Sequence, residues 1–131
     1  MIGLHLSRLA EDLIIYATKE FDFIEISDDF STGSSLMPQK RNPDSLELVR
    51  GLSANLCATL TGAMMTIKGT PSTYNKDLQF DKQYCFDAFD KLQLALAVTE
   101  GVVKTMKIKM QKMESALSAD MLATDWVSCS K

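Results

Sequence analysis

The chain has 131 residues, 46% of them hydrophobic, and 14 basic residues against 17 acidic ones give it a net charge of -3. That balance is ordinary for a single globular unit and excludes a disordered chain, while cations scattered along the sequence argue against a nucleic-acid partner. No secretory leader and no apolar run long enough to span a bilayer can be read, so no membrane partner is expected and the cytoplasm is the expected location.

From Gly3 to about Glu20, apolar residues at Leu6, Leu9, Leu13, Tyr16 and Ala17 alternate with Arg8, Glu11, Asp12 and Lys19, the spacing of an amphipathic helix. His5, near its start, has no carboxylate or serine partner in view and reads as a surface or interface residue rather than a base. Phe21 to Ile26 alternates apolar and acidic residues, which predicts a short extended segment, enough for a ribbon but not a sheet.

Gly33 to Asp44, reading GSSLMPQKRNPD, does not look like packing. It joins adjacent hydroxyls at Ser34 and Ser35, adjacent cations at Lys40 and Arg41, and prolines at Pro38 and Pro43. Asn42 reads as an N-cap, Pro43 as the first helical residue, and Asp44 with Glu47 as acids in the first turns. The loop thus delivers its side chains to a helix N-terminus. Unpaired N–H groups there, with Lys40 and Arg41, suit a carboxylate or phosphate without any metal. The same composition also fits a plain connection with solvated cations. A nucleotide-binding P-loop is excluded, because no Gly precedes Lys40 and no Ser or Thr follows it.

Asp44 to about Lys68 carries Val49, Leu52, Leu56, Leu60, Ala63 and Ile67 at spacings of three and four, which predicts a long helix ended by Gly69, Thr70, Pro71 and Ser72. Gly51 and Gly62 each lower its propensity by ~1 kcal/mol relative to alanine, or admit close helix packing. After a connector at Pro71 to Asn75, a third helix is predicted from about Asp77 to Lys112. Its seam is Cys85, Phe89, Leu92, Leu96, Thr99, Val103, Met106, Met110 and Met113, at heptad spacing. The methionines there read as core fillers rather than metal ligands. Cys57, Cys85 and Cys129 are too scattered for a disulfide framework or a Cys-x-x-Cys site, so no metal or cofactor is expected and a reducing compartment fits. Such a third helix spans about 45 Å, whereas a domain of this size has a radius of gyration near ~14 Å. The expected fold is therefore all-α, a bundle of long helices whose apolar faces need partner helices.

GSSLMPQKRNP resembles the signature loop of the fumarase/aspartase superfamily, whose members break a C–N or C–O bond by β-elimination and in most cases release fumarate. SRLAEDL (Ser7 to Leu13), PSTYNKDLQ (Pro71 to Gln79) and LSADMLATD (Leu117 to Asp125) resemble one branch, argininosuccinate lyase with its lens relative delta-crystallin. The similarity runs over nearly the whole chain. It implies cleavage of argininosuccinate to arginine and fumarate, no cofactor, and a homotetramer around a central helix bundle with active sites assembled from several subunits. Residues 1–116 match part of the central helical domain, including the loop at 31–43, and residues 117–131 the start of a smaller C-terminal helical domain. Because no cap precedes Met1, Ile2 and Gly3, and the resemblance fades after Asp125, the chain is expected to be a fragment.

By that resemblance Ser34 is the proton-abstracting base, with Ser35 an alternative that the sequence does not separate from it. Lys40 and Asn42, with the helix N-terminus, would stabilise the dianionic intermediate and activate the serine, whose hydroxyl is too weak an acid to ionise unaided. Glu47 matches a carboxylate that pairs with a histidine of an earlier domain; His5 does not stand in that histidine's motif. Ser35, Tyr74, Gln79 and Lys82 match substrate contacts. Arg41 stands where the family commonly has Lys, and Phe80 and Gln83 where it commonly has Glu, which leaves Lys82 less restrained. The alternative is a catalytically silent crystallin-like protein or a helix-bundle interaction module; the intact loop favours the enzyme.

Overall fold

The structure, a computed structural model, describes residues 1–33 and 41–118. Four helices carry it: α1 (Ile2–Tyr16), α2 (Asp44–Ile67), α3 (Asp81–Thr105) and the short α4 (Met110–Ser115). Four two-residue strands join them, β1 (Ile24–Glu25), β2 (Thr32–Gly33), β3 (Arg41–Asn42) and β4 (Lys107–Ile108). Short 3-10 turns occupy Asp28–Phe30 and Lys76–Phe80. The all-α, long-helix character expected from periodicity is what the structure has.

Side-chain contacts fix the helix directions. Gly3 faces Leu56 and Glu11 bonds Arg50 at 2.5 Å, so α1 runs antiparallel to α2. Lys91 donates to Asn55 at 2.6 Å while Thr59 lies 3.4 Å from Asp87 and Gly62 meets Tyr84, so α3 runs antiparallel to α2 in turn. The core sits between them, built from Leu6, Ala10, Leu13, Leu46, Val49, Ala95 and Val102, with Ile24 and Ile26 closing one end. Buried Thr99 returns its hydroxyl to the Ala95 carbonyl at 2.7 Å, which removes the cost of an unpaired polar group.

Three details differ from the sequence reading. First, α1 stops at Tyr16 rather than Glu20: the Thr18 hydroxyl donates to the Ile15 carbonyl at 2.7 Å and the Phe23 N–H to the Tyr16 carbonyl at 2.9 Å, turning the chain. Its buried stripe is Leu6, Ala10 and Leu13, while Leu9 and Tyr16 remain exposed. Second, the third helix ends at Thr105, and Met106 is already extended. Strand β4 pairs antiparallel with β1, Ile24 opposite Ile108 and Glu25 opposite Lys107, and the Lys109 N–H adds a bond of 2.8 Å to the Phe23 carbonyl. A ladder to a distant segment outweighs the local helical pattern of Met106, Met110 and Met113.

Third, the face of α3 that meets its own chain is Ala95, Thr99 and Val102, with Leu92 and Val98 beside them, and not the whole of the predicted seam. Phe89, Leu96 and Val103 of that seam are exposed, as are Leu60, Met64 and Ile67 on the second half of α2. The expectation that long helices present apolar faces beyond the reach of their own chain therefore holds, on a face neighbouring the one that packs internally. No helix among the described residues is long and apolar enough to cross a membrane.

Candidate active site at the start of the second helix

The segment leading to the loop is tied down link by link. Ser27 caps the 3-10 turn by accepting from the Asp29 N–H at 3.4 Å, and the Ser31 hydroxyl donates to the Ser27 carbonyl at 3.1 Å. The Ser45 hydroxyl, in the first turn of α2, donates to the Phe30 carbonyl at 2.6 Å. Strands β2 and β3 then pair antiparallel, Thr32 opposite Asn42 and Gly33 opposite Arg41, so the two ends of the loop are clasped together over α2. The Thr32 hydroxyl bonds the Asp44 carboxylate, a second stitch between the loop's foot and the helix.

Helix α2 begins one residue later than the sequence reading placed it. Pro43 is the N-cap, and its carbonyl accepts from the Leu46 and Glu47 N–H groups at 3.0 Å each; Asn42 belongs to β3 instead of capping the helix. Leu46, fully buried, anchors this first turn in the core. No side-chain cap closes the helix N-terminus among the described residues, and Asp44 and Glu47 place carboxylates in its first turn, as the macrodipole favours.

A cleft of about 680 Å³ opens here, lined by Ile14, Ser31, Asn42, Pro43, Glu47 and Lys109, with Arg41 and Asp22 at its sides. Asn42 and Glu47 thus line one cleft. Arg41 differs from expectation: it forms an ion pair with Asp28, so its charge is compensated locally rather than held for an incoming anion. In the same cleft Lys109 pairs with Asp22, and that hydrogen bond, with the Lys109 charge, holds the Asp22 carboxyl below its ordinary range. Asp22 has a positive φ of 51°, a conformation that aspartate tolerates better than most residues. Asp22 and Lys109 were missed by motif reading. The signal that could have found them is the strict alternation of Met106, Lys107, Ile108, Lys109 and Met110, a strand pattern after a long helix.

Ser34, Ser35 and Lys40, three of the expected site residues, lie outside the described residues. Tyr74, Gln79 and Lys82 are described, and they are elsewhere. The Gln79 amide donates to the Tyr74 hydroxyl at 3.1 Å, both side chains being exposed, and Lys82 is exposed in the first turn of α3. The 3-10 turn that carries Gln79 packs on the end of α2, where Leu78 lines an apolar groove of about 360 Å³ with Leu60, Ala63 and Ile67. The 24 residues of α2, about 36 Å of helix, therefore separate Tyr74 and Gln79 from Asn42, and about 30 Å of the same helix separates them from Glu47. One chain does not bring the two sets together. His5 is exposed near the far end of α1, away from the cleft. Among the described residues no group of three or more His, Cys, Asp or Glu is arranged to hold a metal, and Cys57 and Cys85 are exposed and free.

The bundle of long helices matches the helical bundle of the fumarase/aspartase superfamily. Residues 1–58 match the family described as Lyase. The chain is 55% identical over 125 residues to the argininosuccinate lyase of Schizosaccharomyces pombe, covering 95% of this chain and 27% of that protein. It is 54% identical over 125 residues to that of Chloroflexus aurantiacus, with the same coverage. Among solved structures it is similar to EDDS lyase in complex with formate, with a TM-score of 0.73 and 28% identity over 85% of this chain and 22% of that one. An EDDS lyase variant with bound fumarate gives a TM-score of 0.72 at 27% identity, with the same coverage. The chain is accordingly a relative of the argininosuccinate lyases, and it spans about a quarter of the length of the curated relatives it matches.

Proposed function

We propose that the chain supplies the central helical part of an argininosuccinate lyase, residues 1–116, together with the beginning of a C-terminal helical domain at 117–131. The observation that carries this reading is the clasped loop: the stretch similar to argininosuccinate lyases includes Ser34 to Lys40, and the chain fixes both feet of that stretch, Gly33 against Arg41, over the start of α2.

The reaction removes a proton from the carbon next to a carboxylate and leaves that carboxylate as a doubly charged aci form. The electron pair then forms the C=C bond of fumarate as the C–N bond breaks, and the leaving nitrogen takes up a proton to become arginine. Ser34 takes the first proton, with Ser35 beside it binding substrate. Lys40 and Asn42 stabilise the dianion, and the N-terminus of α2 adds its partial positive charge; preorganised donors of this kind typically lower such a barrier by several kcal/mol. Glu47, which lines the same cleft as Lys109, is the carboxylate partner for acid/base catalysis by a histidine from outside this chain. The fumarate held by the EDDS lyase variant supports fumarate as the product class.

Tyr74, Gln79 and Lys82 contact substrate from a second copy. About 36 Å of α2 separates them from Asn42 in one chain, so a shared site calls for more than one subunit, and a homotetramer joined through the exposed apolar faces of α2 and α3 provides it. The enzyme works in the cytoplasm without a cofactor. The test is a complete enzyme in which this chain replaces the corresponding part of the Schizosaccharomyces pombe relative, with fumarate absorbance followed on addition of argininosuccinate. Release of fumarate and arginine in equal amounts supports the reading; turnover of adenylosuccinate or malate but not argininosuccinate overturns it.

A further inference from the structure

We propose that Glu11 of α1 is a positioning residue: it draws the Arg50 guanidinium onto α1 and so keeps it off Glu47, whose carboxylate then stays open to the cleft. This rests on the reading of Glu47 as the acid/base carboxylate. Arg50 stands three residues after Glu47 on α2, the spacing at which two side chains share a helix face. Long side chains on a helix lean toward its N-terminus, so the backbone directs Arg50 back over the turn that holds Glu47. An acid N-terminal to a base is also the favoured order for pairing along a helix.

In the structure that pairing gives way to one between helices. Arg50 Nη1 donates to Glu11 Oε2 at 2.5 Å, and Glu11 lies on α1, which runs alongside α2. Both acids act on the one cation: the hydrogen bond and charge of Glu11 raise the Arg50 pKa most, and the Glu47 charge adds to the rise. Glu47 lines the cleft with Asn42, whereas among the described residues neither Arg50 nor Glu11 does. The Arg50 and Glu11 side chains are 41% and 47% exposed, so their pair is open to competition from a second carboxylate. Without the charge of Glu11, the nearby Glu47 carboxylate becomes the partner of Arg50. A guanidinium can take both oxygens of a carboxylate at once, which would occupy Glu47 and cancel the charge it offers a histidine. Glu11 touches no substrate in this account. It acts through Arg50.

The experiment compares Glu11→Gln, Arg50→Met and the double variant carrying both, all in the complete enzyme. The readouts are kcat, KM and the melting temperature, with a crystal structure of the Glu11→Gln enzyme. Both single variants remove the same ion pair, so their melting temperatures should fall alike. Their kcat values should not. For Glu11→Gln we expect kcat to fall about 10- to 100-fold with KM within about threefold of wild type, because acid/base catalysis is what is lost. Arg50→Met should keep kcat within about threefold of wild type, and adding it to Glu11→Gln should bring kcat back to that range. Unchanged kcat in Glu11→Gln overturns the proposal, as does an equal fall in both single variants or a double variant no faster than Glu11→Gln. If the wild-type enzyme releases no fumarate, the reading of Glu47 as catalytic fails by itself. The crystal structure then decides the exchange alone: Arg50 within hydrogen-bonding distance of Glu47 in the Glu11→Gln enzyme upholds it, and Arg50 anywhere else refutes it.

Discussion

Replacing Gly51 with alanine adds a methyl group that meets nothing within 4 Å and removes the entropic cost of glycine inside a helix, a gain of about 0.8–1 kcal/mol. Replacing Gly62, eleven positions further along α2, brings the same gain in propensity. The new Cβ, however, would stand 2.8 Å from Tyr84 Cε1, 3.2 Å from Cζ and 3.4 Å from the hydroxyl oxygen. Contact of that kind forces the ring aside or α2 and α3 apart, and overpacking in a fitted interface typically costs about 1–3 kcal/mol. The net effect of Gly62→Ala runs from neutral to about 2 kcal/mol destabilising, so the two variants should differ by about 1–3 kcal/mol. Urea unfolding followed by circular dichroism separates them, and each ~1 kcal/mol moves the melting temperature by several degrees. Tyr84→Leu combined with Gly62→Ala should recover the loss, because the two residues are in contact and their effects are not additive. Equal stabilisation by both alanines would refute the reasoning, since it would mean that Tyr84 does not rest on Gly62.

Leu46→Ala should cost about 3–5 kcal/mol in the same unfolding assay, from the lost burial of a fully enclosed side chain and the cavity left under the first turn of α2; a cost below ~1 kcal/mol would contradict the packing. The Asp22 carboxyl is held below its ordinary value of 3.8 by Lys109, so its contribution to stability is present above that pH and lost as the pH falls through the lower folded value. Lys109→Met should flatten the stability profile in that acid window, and an unchanged profile would show that the pair does not form. In the complete enzyme, Ser34→Ala and Lys40→Met should each lower kcat by about 100-fold or more, whereas Arg41→Gln, whose parent residue is paired with Asp28, should cost less than about tenfold. Full turnover by Ser34→Ala would reassign the base.

Periodicity marked α2 almost to the residue, because one stripe from Val49 to Ile67 and a glycine-proline stop leave few alternatives. It marked α3 less well, for a physical reason. That helix has apolar residues on two adjoining stripes, and spacing alone does not say which one meets its own chain. The small side chains of Ala95 and Thr99 permit close approach, so the large ones at Phe89 and Leu96 are left outward. The end of α3 was misread because Met106 to Met110 satisfies both the helical and the strand period, and its partner, β1, is about 80 residues away in sequence. At the site, the cations and hydroxyls of the loop were visible as unusual chemistry, but their roles came from resemblance. The clasp of β2 with β3, the Arg41 pair with Asp28 and the Arg50 pair with Glu11 are tertiary facts that no local pattern announces.

The most direct measurement of the central claim is the position of fumarate in crystals of the complete, assembled enzyme. A carboxylate of the ligand should lie within hydrogen-bonding distance of Asn42 and of the loop from Ser34 to Lys40, at the start of α2, with Tyr74 or Gln79 reaching it from another copy. Fumarate settled instead in the apolar groove beside Leu60 and Tyr84, or anywhere remote from the first turn of α2, would contradict the account.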